Sequence, residues 1–418
     1  MTMLDVHDSK RPHHGRAPLL AAMLWMAGLA AACEKPAMNN GSISMTKDDL
    51  EEVYRTHDPS LAGHQSAERV LVGPDGITVL ATANPSGEAE HTWLLQLDMQ
   101  GAVVWQHHYD PKYGAGRALA ALPNGGLAFA GDVARSATSY QGTLVTTDSW
   151  GKVVAAKALG PRGITGFTAL ASRPDGTLIA GGSAAKGWLL SVDVGLQAPT
   201  DQLLTVLDVK ALGPQPNGDL AVLGVAERST TGFGRATLVS MGPTHESRWE
   251  RTLPTSERGD PAALIVGSGG MLAVGSGAKD EHELAHVWLA YVDNAGKMRW
   301  EHTLTAGPEN ARAWASVGLS DGYAIAGETA TLEGQRTPHV WRLGPDGTPR
   351  WDQAYPAPAG SNAFEIVNSI VAAPDGGLVL AGATSRGDGK TNVWIVRLDA
   401  QGKIVWQRVF GSGAPNPA

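Results

Sequence analysis

Three observations on this chain of 418 residues predict an all-β fold, a seven-bladed β-propeller with four antiparallel strands per blade. Turn signals of one kind recur at Asp75-Gly76, Asn124-Gly125, Asp175-Gly176, Asn217-Gly218, Gly269-Gly270, Asp321-Gly322 and Asp375-Gly376, at intervals of 42 to 54 residues. Each is followed by an apolar run that closes on a small residue, as in "LAFAGDV", "LIAGGSA" and "LVLAGAT". Ten of the 13 tryptophans fall into two recurring positions of the repeat. Internal repetition with this period and many short strands is how a ring of sheets looks in sequence.

The chain opens on what reads as an export signal over residues 1–33. Lys10, Arg11 and Arg16 precede the apolar stretch "APLLAAMLWMAGLAAAC", which ends in small residues. That stretch is short for a membrane-spanning helix. Cys33, the only cysteine, directly follows Ala30, Ala31 and Ala32. This ending resembles the lipobox of bacterial lipoproteins, whose cysteine is lipidated and becomes the first residue of the mature chain. That pattern favours Leu three positions before the cysteine, whereas Leu29 stands four before it. The alternative is an ordinary signal peptide cut nearby, leaving a free thiol. Either way the chain is expected to fold in an oxidising compartment with no internal disulfide, so packing alone must stabilise it. The resemblance implies a lipid anchor at Cys33, and Glu34 after the cysteine leans toward the outer membrane, facing the periplasm.

Residues 34–63 read as a tether with one short helix. "EKPAMNNGSIS" has linker composition. Thr46 and Asp49 then make a capping-box-like start, with Leu50, Val53 and Tyr54 at helical spacing. The helix either docks on the domain or is free for a partner. Blades are expected over 64–411, with a tail at 412–418.

Within each blade, Asp-Gly and Asn-Gly supply the positive φ of a two-residue hairpin turn between the first and second strands. After a variable loop comes a third run, such as "TWLLQLD" or "VWIVRLD", then a turn and a fourth run such as "VVWQHHY" or "IVWQRVF". Trp93, Trp188, Trp288, Trp341 and Trp394 share one position of the third strand. Trp105, Trp249, Trp300, Trp351 and Trp406 share one position of the fourth. An aromatic ring repeated in nearly every blade suits the wedge between stacked sheets better than a ligand platform, because ligand sites do not repeat around a ring.

The segments "LDMQGAVVW" (97–105) and "LDAQGKIVW" (398–406), with "VDNAGKMRW" (292–300) close to them, resemble the PQQ-like propeller repeat, whose blades end in a docking Trp after a similar turn. Exported bacterial lipoproteins of this type include the propeller subunit of the outer-membrane β-barrel assembly machine, a scaffold. The resemblance covers nearly all of 64–411 and implies a propeller that binds other proteins. The chain departs from that repeat in lacking Thr before the turn Gly, and from that subunit in having seven blades, not eight.

The first–second and third–fourth turns are tight and share one face of the disc; the long, varied segments share the other. Loops carry function where tight turns carry geometry, so a site is expected on the long-loop face. Arg117, Arg312, Trp314 and Glu365, near the starts of innermost strands, are candidates for the mouth of the central channel, with Arg336 and Arg386 on the same face. For each the competing reading is a solvated loop or a rim ion pair. The run "KDEHELAH" (279–286) matches no metal-site spacing, so neither a metal nor a cofactor is expected. The formal charge of -8 gives no basic footprint for nucleic acid. No G-x-S-x-G, H-E-x-x-H, P-loop or dinucleotide fingerprint stands in the context that would give it chemistry. Two functions are left. One is an envelope-anchored, non-catalytic binding or scaffolding lipoprotein that engages a protein or peptide through its long-loop face. The other is a glycan-active hydrolase or lyase at the channel mouth, which needs a carboxylate pair, with Glu365 as the one candidate on an innermost strand.

Overall fold

The computed structural model describes residues 63–411 apart from the stretches 85–89, 137–138, 164–165, 184–185, 229–233, 254–258, 279–283, 306–308, 332–334, 356–364 and 386–387. The expected signal, tether, helix and tail, with Cys33 and Arg386, lie outside the described residues. The described chain is a seven-bladed β-propeller. Its seven sheets each hold four strands in chain order, and every pairing is antiparallel. Blade 1 spans 64–108, blade 2 115–163, blade 3 166–203, blade 4 208–252, blade 5 259–304, blade 6 310–354 and blade 7 365–410.

A four-stranded sheet with two apolar faces cannot bury both alone, and stacking solves this blade by blade. Seven apolar clusters result, each shared by two neighbouring blades and none central. Ile77, Val79 and Leu95 of blade 1 pack on Val379, Ala381 and Ile395 of blade 7, which closes the ring. The third-strand tryptophans are all buried, as the wedge argument requires. Trp93 and Trp394 donate their indole N–H to Gln106 and Gln407, and Trp188 to Asp201.

The hairpins differ from the expectation in detail. Blades 1, 5 and 6 have two-residue loops, but Gly76, Gly270 and Gly322 follow the loop and open the second strand. In blades 2, 3, 4 and 7 the loop is Pro-Asx-Gly, closed by bonds such as Gly125 N–H to Leu122 C=O at 3.0 Å and Leu122 N–H to Gly126 C=O at 2.8 Å. Proline starts the turn and glycine takes the left-handed position at its end.

The L-D-x-x-G turn has a clear physical basis. The carboxylate of Asp98 accepts the N–H of Gln100 and of Ala102, each at 2.9 Å. Asp148, Asp293 and Asp399 repeat the arrangement. The glycine that follows lies at a left-handed φ, 82° for Gly101 and 83° for Gly402, and Gly347 does so at 81° in the equivalent L-G-P-D-G turn of blade 6. It also receives an indole from the blade before. A Cβ on Gly347 would come within 2.7 Å of Trp300, and one on Gly402 within 2.8 Å of Trp351. Trp105 against Gly151, Trp249 against Gly296 and Trp406 against Gly101 complete five such docks. The last joins blade 7 to blade 1, and there the indole also donates to Met99 C=O at 3.0 Å.

Candidate functional site at the channel mouth

The first strands pack on one another all around the ring and form the channel wall. They are His64–Gly73, Ala115–Ala121, Gly166–Ser172, Asp208–Pro214, Gly259–Gly267, Asn310–Leu319 and Glu365–Ala372. Each carries one β-bulge at the same place, where one residue has no partner across the ladder. These residues are Glu68, Arg117, Thr168, Lys210, Ala262, Trp314 and Asn368. A bulge bends its strand and re-aims a side chain. All seven are half-exposed although their strands are innermost, which sets them on the channel near its long-loop end. The small residue that closes the second-strand run is explained by the same bulge. In blades 2 to 7 it is a glycine, because a Cβ there would run into a carbonyl two residues before the bulged position.

Arg117 reaches three carboxylates. Its Nη2 lies 2.9 Å from Glu90, its Nε 3.5 Å from Asp132 and its Nη1 3.9 Å from Glu68 of the neighbouring blade. Burial works against its charge, but the three carboxylates outweigh that and hold its pKa above the ordinary arginine value. Asp132 is pushed above the usual carboxylate range by burial, with Arg117 opposing. Elsewhere on the ring, Lys210 pairs with Asp208 at 2.7 Å. The Asn368 amide donates to Ser66 Oγ and Ala67 C=O of blade 1 at 3.1 and 2.9 Å, and Thr168 to Val209 C=O of blade 4 at 2.6 Å.

Blade 6 brings Arg312, Trp314 and Arg336 together with a residue the sequence reading missed. Arg312 is the register partner of Glu328, whose buried carboxylate lies 3.5 Å from Arg336 Nη1. Arg312 makes no ion pair among the described residues. Glu365, first residue of its strand, is 1% exposed and accepts from Thr384 Oγ1 at 3.3 Å. Burial pushes its carboxyl up to about 7. Arg117 and Arg312 share the mouth but sit on blades 2 and 6 and do not meet. Glu68, Lys210 and Asn368 were overlooked because a bulge leaves no local mark in sequence, and Glu90 and Asp132 because their contacts with Arg117 join separate strands. The signal that could have found the bulged ones was the register of each first strand against the recurrent second-strand glycine.

No described protein family matches the sequence, nor does any well-characterised protein. Solved structures share its architecture at low identity. A puromycin hydrolase aligns with a TM-score of 0.52 and 16% identity over 86% of this chain and 55% of its own. The β-propeller domain of the Trilobed protease from Pyrococcus furiosus aligns at 0.48 and 9% identity over 84% and 96%. A protein of unknown function from Bacteroides caccae gives 0.41 and 14% identity over 83% and 94%. These likenesses show the propeller fold alone.

Proposed function

We propose that this protein is a non-catalytic binding or scaffolding lipoprotein of the cell envelope, anchored through Cys33, that engages a protein or peptide at the long-loop mouth of its propeller. The carrying observation is the contrast between repeated and unrepeated positions. The wedge and docking tryptophans recur because every blade solves the same packing problem. The bulge ring instead presents Glu, Arg, Thr, Lys, Ala, Trp and Asn at seven equivalent places. An asymmetric rim of mixed charge with one large aromatic is what a specific macromolecular contact needs, since aromatic and Arg anchors dominate such interfaces.

Crosslinking and pull-down from intact envelopes tests this. Arg312→Glu and Trp314→Ala should lose the partners that the native chain captures, while Cys33→Ser should move the protein from the membrane fraction to the soluble one. Retention of the same partners by both mouth variants would remove the mouth from consideration. Arg117 is a poor probe because it already holds three carboxylates.

The glycan-active reading rests on Glu365, a mouth-end acid held near neutrality as a general acid must be. It needs a second carboxyl facing Glu365 at glycosidase separation. Glu68 and Asp132 are turned to Arg117, and Glu328 to Arg336, instead, so the binding reading is preferred.

A further inference from the structure

Five of the seven blade boundaries are closed by an indole set on a turn glycine; the other two lack both partners. In register, the indole position is held by Ala155 at the boundary of blades 2 and 3, and by Thr200 at that of blades 3 and 4. The glycine position is held by Leu196 and His245, which keep the positive φ with a side chain in place, at 58° and 67°. Leu196 is 1% exposed and fills the first slot with apolar bulk against Ala155. The second slot is not filled. A solvent-open cleft of about 460 Å³ lies there, on the tight-turn face, lined by Arg173, Ser191, Thr200, Asp201, Thr244 and His245 among others.

The geometry points to this slot as a binding site for a carboxylate. Arg173 Nη1 donates to Pro243 C=O across the boundary at 3.1 Å, which brings the guanidinium to the cleft wall. Its Nε and Nη2 are withdrawn from solvent and donate to nothing among the described residues. These two lie on one edge of the planar group, the edge that takes both oxygens of a carboxylate in parallel hydrogen bonds. Orphaned buried donors are costly, and a small swing of the guanidinium toward an entering carboxylate removes two of them. The hydroxyls of Ser191 and Thr200 line the same space, whereas Thr244 Oγ1 already donates to Glu246 at 2.6 Å. Ser191 Oγ and His245 Nε2 are 3.1 Å apart. Burial and the Arg173 charge push His245 below the usual histidine range, so its ring brings no second positive charge near pH 7. Asp201 offsets the Arg173 charge, so the site has no surplus charge to hold a dianion, and a carboxylate is held by its paired hydrogen bonds to the guanidinium.

Nuclear magnetic resonance titration of the full chain, following the arginine Nε–H signals, tests the assignment. The probes are N-acetylglycine, a short peptide ending in Glu, and inorganic phosphate. A saturable shift of the Arg173 signal by either carboxylate is expected, and the tighter of the two tells whether free molecules or chain ends are the natural source. The slot can also be rebuilt as a dock by the double variant Thr200→Trp with His245→Gly. That variant should keep its melting temperature or raise it while losing at least tenfold in carboxylate affinity, as should Arg173→Ala. No saturable shift with either carboxylate, tighter binding of phosphate, or undiminished binding by the rebuilt dock would overturn the proposal.

Discussion

Glu365 shows how one residue ties the fold to pH. Burial of the carboxyl favours its neutral form, with the Thr384 hydroxyl opposing, and its pKa rises from 4.5 to about 7. Between those values the folded chain binds more protons than the unfolded chain, so stability is full below about pH 4.5 and declines as pH rises through 7. Glu365→Gln keeps the shape and cannot ionise. It should leave stability at pH 4.5 nearly unchanged and raise it at pH 8 by roughly 2 kcal/mol. Urea denaturation at both pH values measures this; equal effects at the two would show that the carboxyl is not held neutral. Arg117 is the opposite case, a charge kept because three carboxylates need it.

The dock between neighbouring blades is the element that carries the ring. Trp300 stacks on Tyr291 of its own blade at 5.3 Å between ring centroids and covers Gly347 of the next. Trp300→Ala should cost about 3 kcal/mol through lost burial and the cavity left behind. Gly347→Ala meets a left-handed φ and close approaches to Trp300 and His302. In the Trp300→Ala background the clash with the indole is gone while the φ and His302 remain, so a double-mutant cycle should show a coupling of about 1 kcal/mol. Additive costs would mean that the indole does not rest on the glycine. The two tryptophan columns were legible in sequence because their spacing repeats. The reciprocal losses, Thr200 with His245 and Ala155 with Leu196, were not. They pair residues of successive blades, and only the stacked ring shows that one slot was refilled and the other left as a cleft on the face expected to be featureless.

At the scale of the whole molecule the ring closes without exchanging a strand. Blade 1 is built from His64–Gly73 and the three strands after it, and blade 7 is likewise complete in chain order. The seam is held by the cluster shared between the two blades, the Trp406 dock, the Asn368 amide and the bond from Thr391 Oγ1 to Gln65 C=O at 2.8 Å. Gly411 lies against Gln65, so the two ends of the propeller meet. The seam is therefore one boundary among seven. A circular permutant that joins 411 to 64 by a short linker and opens the chain at the link between blades 4 and 5 should fold, with stability within about 2 kcal/mol of the parent. Thermal unfolding checks this; a large loss would mark the native seam as special.

The sequence by itself determined the number of blades, the strands within each, the wedge tryptophans and the face that carries the varied segments, because these depend on local periodicity and turn chemistry repeated seven times. It also offered Arg117, Arg312, Trp314 and Glu365 as candidates for the mouth. Only the tertiary structure decided what those side chains meet: that Arg117 is enclosed by Glu68, Glu90 and Asp132, that Trp314 is one of seven bulged residues, and that Arg173 faces His245 across an unfilled boundary. Each of these contacts joins residues of different strands or blades. Their distances are set by how the sheets stack, and no spacing along a single strand encodes them.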